Sequence, residues 1–169
     1  MTKRWLLGGS LAAVGAAIAS RFAPSGHEAR ATTAADPSFE VSKSEAEWRR
    51  QLTPAQYRVL RQHDTERPNT SPLNHEKRAG TFACAGCDNP LFASATKFES
   101  GTGWPSFFAP IEGAIGTRRD ASLFMVRTEV HCARCGGHQG HVFEDGPPPT
   151  GLRYCINGVA LQFHPETAA

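Results

Sequence analysis

The sequence predicts a mainly β domain opened by two short helices, on three observations. From Thr81 onward the apolar residues come in short runs broken by Gly, Pro and Asn, the punctuation of strands and turns. Residues 123–132 alternate, with Phe124, Val126, Thr128 and Val130 set against Met125, Arg127, Glu129 and His131, the period of a half-buried antiparallel strand. Ahead of these, Ser44-Glu45-Ala46-Glu47 and Thr53-Pro54-Ala55-Gln56 each read as a capping box, the second with proline at the first helical position, where its missing N–H costs nothing.

Taken in order, residues 1–31 read as an export signal. Lys3 and Arg4 precede an uncharged run, residues 5–19, which falls short of the roughly 20 apolar residues of a membrane span. Ala29-Arg30-Ala31 supplies the small-x-small pattern of a cleavage site, leaving a chain that begins at Thr32. Thr2-Lys3-Arg4-Trp5-Leu6-Leu7 resembles a twin-arginine signal with Lys3 in the place of the first arginine, so the expected destination is a bacterial periplasm. An uncleaved membrane anchor, with Arg21 just past the apolar run, is the alternative. Residues 32–43, rich in Ala, Thr, Ser and Pro, read as a flexible linker, and order is expected from Ser44.

In the second helix Tyr57, Leu60 and Arg61 share a face by three- and four-residue spacing, and that face should pack on the domain. Residues 154–157 and 159–163 read as two more strands joined by a turn or bulge at Gly158, and residues 146–151, with three consecutive prolines, as a loop. A chain of 169 residues that is 40% hydrophobic suits one compact domain, residues 44–169. The net charge of +2 is misleading, because residues 1–31 hold Lys3, Arg4, Arg21 and Arg30 against Glu28 alone. The nearly neutral body offers no basic stripe for nucleic acid, and no repeat beyond a doubled cysteine motif suggests a solenoid.

The five cysteines divide into Cys84-x-x-Cys87, Cys132-x-x-Cys135 and a solitary Cys155. Two such pairs can each form a knuckle, and together they make a tetrahedral four-thiolate zinc site; Asp88-Asn89 and Gly136-Gly137 supply the turn residues a knuckle requires. A disulfide framework or a redox pair is the competing reading, but disulfides within each pair would close very small rings and cross-link nothing distant. A four-thiolate site has no open position, so the zinc is expected to be structural. Cys155 is then the cysteine to explain, either as an inert core thiol or as a reactive one. Arg153 and Asn157, each two residues away on a strand, point to its side and could serve a thiolate and a polar oxygen. His138 and His141 are open to three readings: a second metal site, acid or hydrogen-bond roles, or solvated surface. His63, His75, His131 and His164 have no constellation around them, and Tyr154, Phe143 and Phe163 read as core.

Gly101-Thr102-Gly103-Trp104-Pro105-Ser106-Phe107, Gly137-His138-Gln139-Gly140-His141-Val142-Phe143 and Arg153-Tyr154-Cys155-Ile156-Asn157, in that order and with both knuckles, resemble the motifs of the methionine sulfoxide reductase B family over residues 44–163. The resemblance implies two antiparallel sheets forming a small barrel-like core, with one structural zinc on Cys84, Cys87, Cys132 and Cys135 at its side and short helices at its N-terminal end. It implies Cys155 as nucleophile, Trp104 as the wall holding the substrate methyl group, His138, His141 and Asn157 around the sulfoxide oxygen, and Arg153 assisting the thiolate. The substrates would be oxidised proteins containing methionine-R-sulfoxide, and the chain is expected to act as a monomer.

The chemistry accounts for these residue types. A sulfoxide sulfur becomes electrophilic as its oxygen is protonated, so the site needs a nucleophile and an acid on opposite sides. Methionine leaves and Cys155 remains as a sulfenic acid. Many members place a resolving cysteine in the Gly-x-Gly-Trp segment, where this chain has Thr102, so a thioredoxin-like protein or a small thiol is the expected reductant. Gly158 also replaces a common serine. Two other functions compete: a zinc-ribbon docking module, and a thiol oxidoreductase acting through a Cys-x-x-Cys pair.

Overall fold

The computed structural model describes residues 38–122 and 125–167. Both helices form where the capping boxes place them: α1 (Glu45–Gln51) on Ser44 and α2 (Pro54–Gln62) on Thr53, each with the reciprocal side-chain and backbone hydrogen bonds in place. His63 ends α2 in the left-handed region, φ 57°. Trp48 of α1 and Tyr57, Val59 and Leu60 of α2 are buried, and Arg61 lies over the Trp48 ring while donating to the Cys135 carbonyl at 3.0 Å. Packing begins ahead of the expected start at Ser44, because the Val41 N–H donates to the Arg134 carbonyl at 2.9 Å and Phe39 sets its edge against His131. The expected export signal and residues 32–37 of the linker lie outside the described residues.

Among the described residues nine strands follow: β1 (Gly80–Cys84), β2 (Pro90–Ala93), β3 (Lys97–Phe98), β4 (Ser106–Phe107), β5 (Ile115–Asp120), β6 (Arg127–Cys132), β7 (His138–Phe143), β8 (Arg153–Ile156) and β9 (Leu161–Pro165). They form two antiparallel sheets, ordered β2-β1-β9 and β3-β4-β8-β7-β6-β5. The sheets are open rather than closed into a barrel: among the described residues β3 and β5 end the larger sheet without pairing to each other. The expected turn at Gly158 is a 3-10 turn, Gly158–Ala160, and it sends β8 and β9 into different sheets. Phe92 of the smaller sheet stacks on Phe107 of the larger at 4.4 Å, and Phe82 meets Phe107 edge-on at 4.9 Å, so aromatic rings join the two sheets.

The strand expected over residues 123–132 is shorter and more deeply placed than the alternation suggests. Its last ladder pair, Arg127 with Asp120, is closed by an ion pair at 2.8 Å; Met125 and Val126 lie beyond it, exposed, while Leu123 and Phe124 lie outside the described residues. Glu129 and Val130 are both buried, because Arg118 and two histidines satisfy the carboxylate on what a simple alternation makes the wet face.

Leu60 is 1% exposed and its methyl carbons lie against the backbone at Gly86 and Gly137, one in each knuckle. Leu60→Ala is expected to cost about 3 kcal/mol, the loss of a buried side chain plus the cavity it leaves. Chemical denaturation would show this as a lower midpoint at an unchanged slope.

Candidate functional site

The two knuckles are built alike. In the first, the Asp88 N–H donates to the Cys84 carbonyl (2.8 Å) and the Cys84 N–H to the Asn89 carbonyl (2.9 Å); in the second, Gly136 donates to Cys132 and Cys132 to the Gly137 carbonyl, both at 2.9 Å. Asp88 and Gly136 adopt the left-handed conformation this turn needs, φ 60° and 68°. Sulfur contacts run between the knuckles, Cys84 to Cys135 at 3.7 Å and Cys87 to Cys132 at 3.5 Å, and all four sulfurs lie within 4.8 Å of one another. A tetrahedral thiolate site with metal–sulfur bonds of about 2.3 Å has sulfur–sulfur edges of about 3.8 Å, so the four cysteines fit a zinc ion. Gly86 N–H and Gln139 Nε2 donate to the Cys84 sulfur, and Asn89 Nδ2 to that of Cys132, the outer support that thiolate ligands attract.

Register places the second constellation. Arg118 pairs with Glu129, Glu129 with His141, His141 with Cys155, and Cys155 with Ser106, one residue from each of β5, β6, β7, β8 and β4. Residues directly opposite one another in antiparallel strands share a face, so this row lies on one side of the sheet. Close approach of β7 to β8 requires a glycine beside it, since a Cβ at Gly140 would lie 2.0 Å from the Cys155 carbonyl oxygen. His138, three residues before His141, should face the other side of a regular strand. A register shift between Val130 and His131 returns it to the row, where Nδ1 meets Glu129 Oε1 at 2.7 Å.

Cys155, Trp104, His141, Asn157, Phe143, Arg127, Thr65 and Gly140 enclose a cavity of about 120 Å³. Trp104 is held by its Nε1–H, which donates to the Glu66 carbonyl at 3.1 Å. His141 Nε2 bonds Asp120 Oδ2 at 2.7 Å, and Arg127 bonds the same oxygen at 2.8 Å. Burial holds the His141 imidazole below its ordinary pKa despite Asp120. Asn157 is 3% exposed: its Oδ1 accepts from the Glu66 N–H and its Nδ2 donates to the Gln139 carbonyl, both at 3.0 Å, which leaves one N–H to offer. Burial pushes the Cys155 thiol up, opposed by Thr102, whose Oγ1 lies 3.8 Å from the sulfur, and by Arg153. Arg153 sits over the Phe143 ring and forms a two-pronged pair with Asp145 at 2.8 and 2.7 Å, so its charge is already shared.

The structure thus gathers Cys155, Trp104, His141 and Asn157 around one cavity, with Arg153 beside it, but keeps His138 outside its lining. His138 is instead buried against Glu129, which also receives Arg118 and His63. His63, His138 and Glu129 come within 4.8 Å of one another, but Arg118 already occupies both Glu129 oxygens, so the cluster is a satisfied ion network. Phe143, read as core, borders the cavity. The sequence reading missed Asp120, Arg127 and Glu129, brought in from β5 and β6 by strand pairing, Thr65, which lines the cavity from the segment after α2, and His63, which reaches the network from the end of α2.

Fold and site define a two-sheet β domain with a four-cysteine cluster that could hold a metal ion and a separate half-buried thiol in a small aromatic-walled cavity. Residues 52–165 match the SelR domain family. The chain is 59% identical over 127 residues to the peptide methionine sulfoxide reductase MsrB of Agrobacterium fabrum, covering 75% of this chain and 94% of that protein. It is 60% identical over 131 residues to the protein of the same name from Pseudomonas putida (77% and 98%) and 58% over 127 residues to that of the archaeon Methanosarcina barkeri (75% and 89%). The chain belongs to the methionine sulfoxide reductase B family.

Burial alone would raise the Glu129 carboxyl, yet hydrogen bonds from His138, His63 and Arg118 hold it well below the ordinary carboxylate range. Its contribution to stability is therefore complete above the unfolded value, about 4.3, and is lost as the pH falls through the folded one. Glu129→Gln is expected to cost about 2–3 kcal/mol at pH 7. In chemical denaturation at a series of pH values, the difference from the parent should narrow below about pH 4.

Proposed function

We propose that this chain reduces the R epimer of methionine sulfoxide in oxidised proteins, with Cys155 as nucleophile. The observation that carries this reading is the position of Cys155: it is the cysteine outside the four-sulfur cluster, and its sulfur borders a small cavity walled by Trp104 and edged by His141. The Cys155 thiolate attacks the sulfoxide sulfur while the oxygen is protonated from the His141 side, with the remaining N–H of Asn157 directed to the same oxygen. The oxygen passes to Cys155, which becomes a sulfenic acid; methionine has gained the two electrons that the cysteine sulfur has lost. The Trp104 ring receives the substrate methyl group and excludes water. His138 acts at one remove, through Glu129.

Thr102 occupies the place of a resolving cysteine, and the other four thiols are metal ligands. An external thiol, from a thioredoxin-like protein or a small molecule, therefore displaces water from the sulfenic acid as a mixed disulfide. A second thiol then frees Cys155 and departs as the disulfide. Cys84, Cys87, Cys132 and Cys135 hold one structural zinc, which when bound cross-links the two knuckles and has no open position. Residues 1–31 direct the chain to the periplasm, residues 32–43 join that signal to the domain, and the mature domain works as a monomer.

Dithiothreitol-dependent reduction of dabsylated methionine-R-sulfoxide is the direct assay. The parent is expected to turn over the R epimer and not the S epimer, and Cys155→Ser to be inactive. An inactive, folded parent overturns the proposed activity, and an active Cys155→Ser overturns the assignment of the nucleophile.

A further inference from the structure

A run of hydroxyls leads away from the Cys155 sulfur. Thr102 Oγ1 is 3.8 Å from Sγ, Ser100 Oγ is 2.9 Å from Thr102 Oγ1, and Ser106 Oγ is 2.7 Å from Ser100 Oγ and 3.1 Å from the Trp104 carbonyl oxygen. Ser106 is 1% exposed and is also the residue opposite Cys155 in the β4–β8 register. The chain therefore leaves the sulfur and returns to the strand pair it started from.

Each hydroxyl owns one proton, and that fixes the direction of the chain. A carbonyl only accepts, so Ser106 donates to Trp104, Ser100 to Ser106, Thr102 to Ser100, and the thiol S–H of Cys155 to Thr102. A thiolate also only accepts. When Cys155 ionises the order reverses: Thr102 donates to the sulfur, Ser100 to Thr102 and Ser106 to Ser100. Each link in the chain survives the reversal except the contact with the Trp104 carbonyl, which is released.

We propose that Thr102, Ser100 and Ser106 form a reversible hydrogen-bond chain that sets the thiol–thiolate balance of Cys155, with Thr102 as its positioning residue. The proposal rests on the reading of Cys155 as the nucleophile. Of the charged groups that face the sulfur, Arg153 on β8 acts on it while paired with Asp145, and His141 on β7 and Arg127 on β6 are paired with Asp120. They remain in place in every variant below, so a change in titration reports the hydroxyls.

The test is the rate of Cys155 alkylation by iodoacetamide as a function of pH, in the full, zinc-loaded chain. Thr102→Val keeps the shape and removes the hydroxyl, and is expected to raise the midpoint by about one pH unit. Thr102→Ser should keep the parent midpoint, and Ser100→Ala should raise it by less, since Thr102 keeps its hydroxyl but loses its donor. A parent-like midpoint in Thr102→Val, or a Thr102→Ser that shifts as far as the valine variant, overturns the proposal. Should Thr102→Val not fold, an unshifted Ser100→Ala overturns it equally. Alkylation needs no sulfoxide, so the expected shifts in a chain that fails to reduce methionine sulfoxide would support the hydroxyl chain and overturn the proposed function instead.

Discussion

Cys84 and Cys87 leave the smaller sheet at the end of β1, Cys132 and Cys135 leave the larger one at the β6–β7 turn, and the four sulfurs meet within 4.8 Å. That meeting constrains everything downstream of it. It fixes where β6 ends and β7 begins, and the register shift at that end brings His138 onto the face that carries His141 and Cys155. It also gives α2 a floor: Leu60 packs on both knuckles and Arg61 caps the Cys135 carbonyl. A one-residue slip of β7 would turn His141 away from Cys155, so a metal cross-link at this turn would protect that row as well as the fold.

Around Cys155 the site balances two opposed demands. The cavity that Trp104 walls also raises the thiol, since burial disfavours the charged form that a reactive cysteine needs. The surroundings answer with neutral donors and shared charges rather than with a free cation. Arg153 is spent largely on Asp145, His141 is steered by Asp120, and hydroxyls approach the sulfur from the Thr102 side. Asn157 has a double use: it lines the cavity, and it ties residue 66, whose carbonyl holds the Trp104 ring, to β7.

Features with a local signal were legible in the sequence. Both capping boxes, the two knuckles and the strand carrying Cys155 depend on residues within a few positions of each other, and each lies where the sequence places it. The solitary status of Cys155 was likewise a matter of counting. What depended on pairing was not legible. Asp120 and Glu129 reach His141 and His138 only through the β5–β6–β7 register, and His63 reaches Glu129 only because α2 packs beside β7. The alternation over residues 123–132 misled for a related reason. It assigned Glu129 to solvent, whereas three partners from other elements allow that carboxylate to be buried.

The division of labour among the five cysteines, four held at the knuckles and one left to react, is the central claim, and counting thiols tests it most directly. Titration of the native, metal-loaded chain with a chromogenic disulfide is expected to register one thiol, lost in Cys155→Ser. All five should register once a denaturant and a chelator are added, with one zinc released per chain. Fast reaction of several thiols in the native state, or fewer than five after reduction-free denaturation with no zinc released, would contradict it.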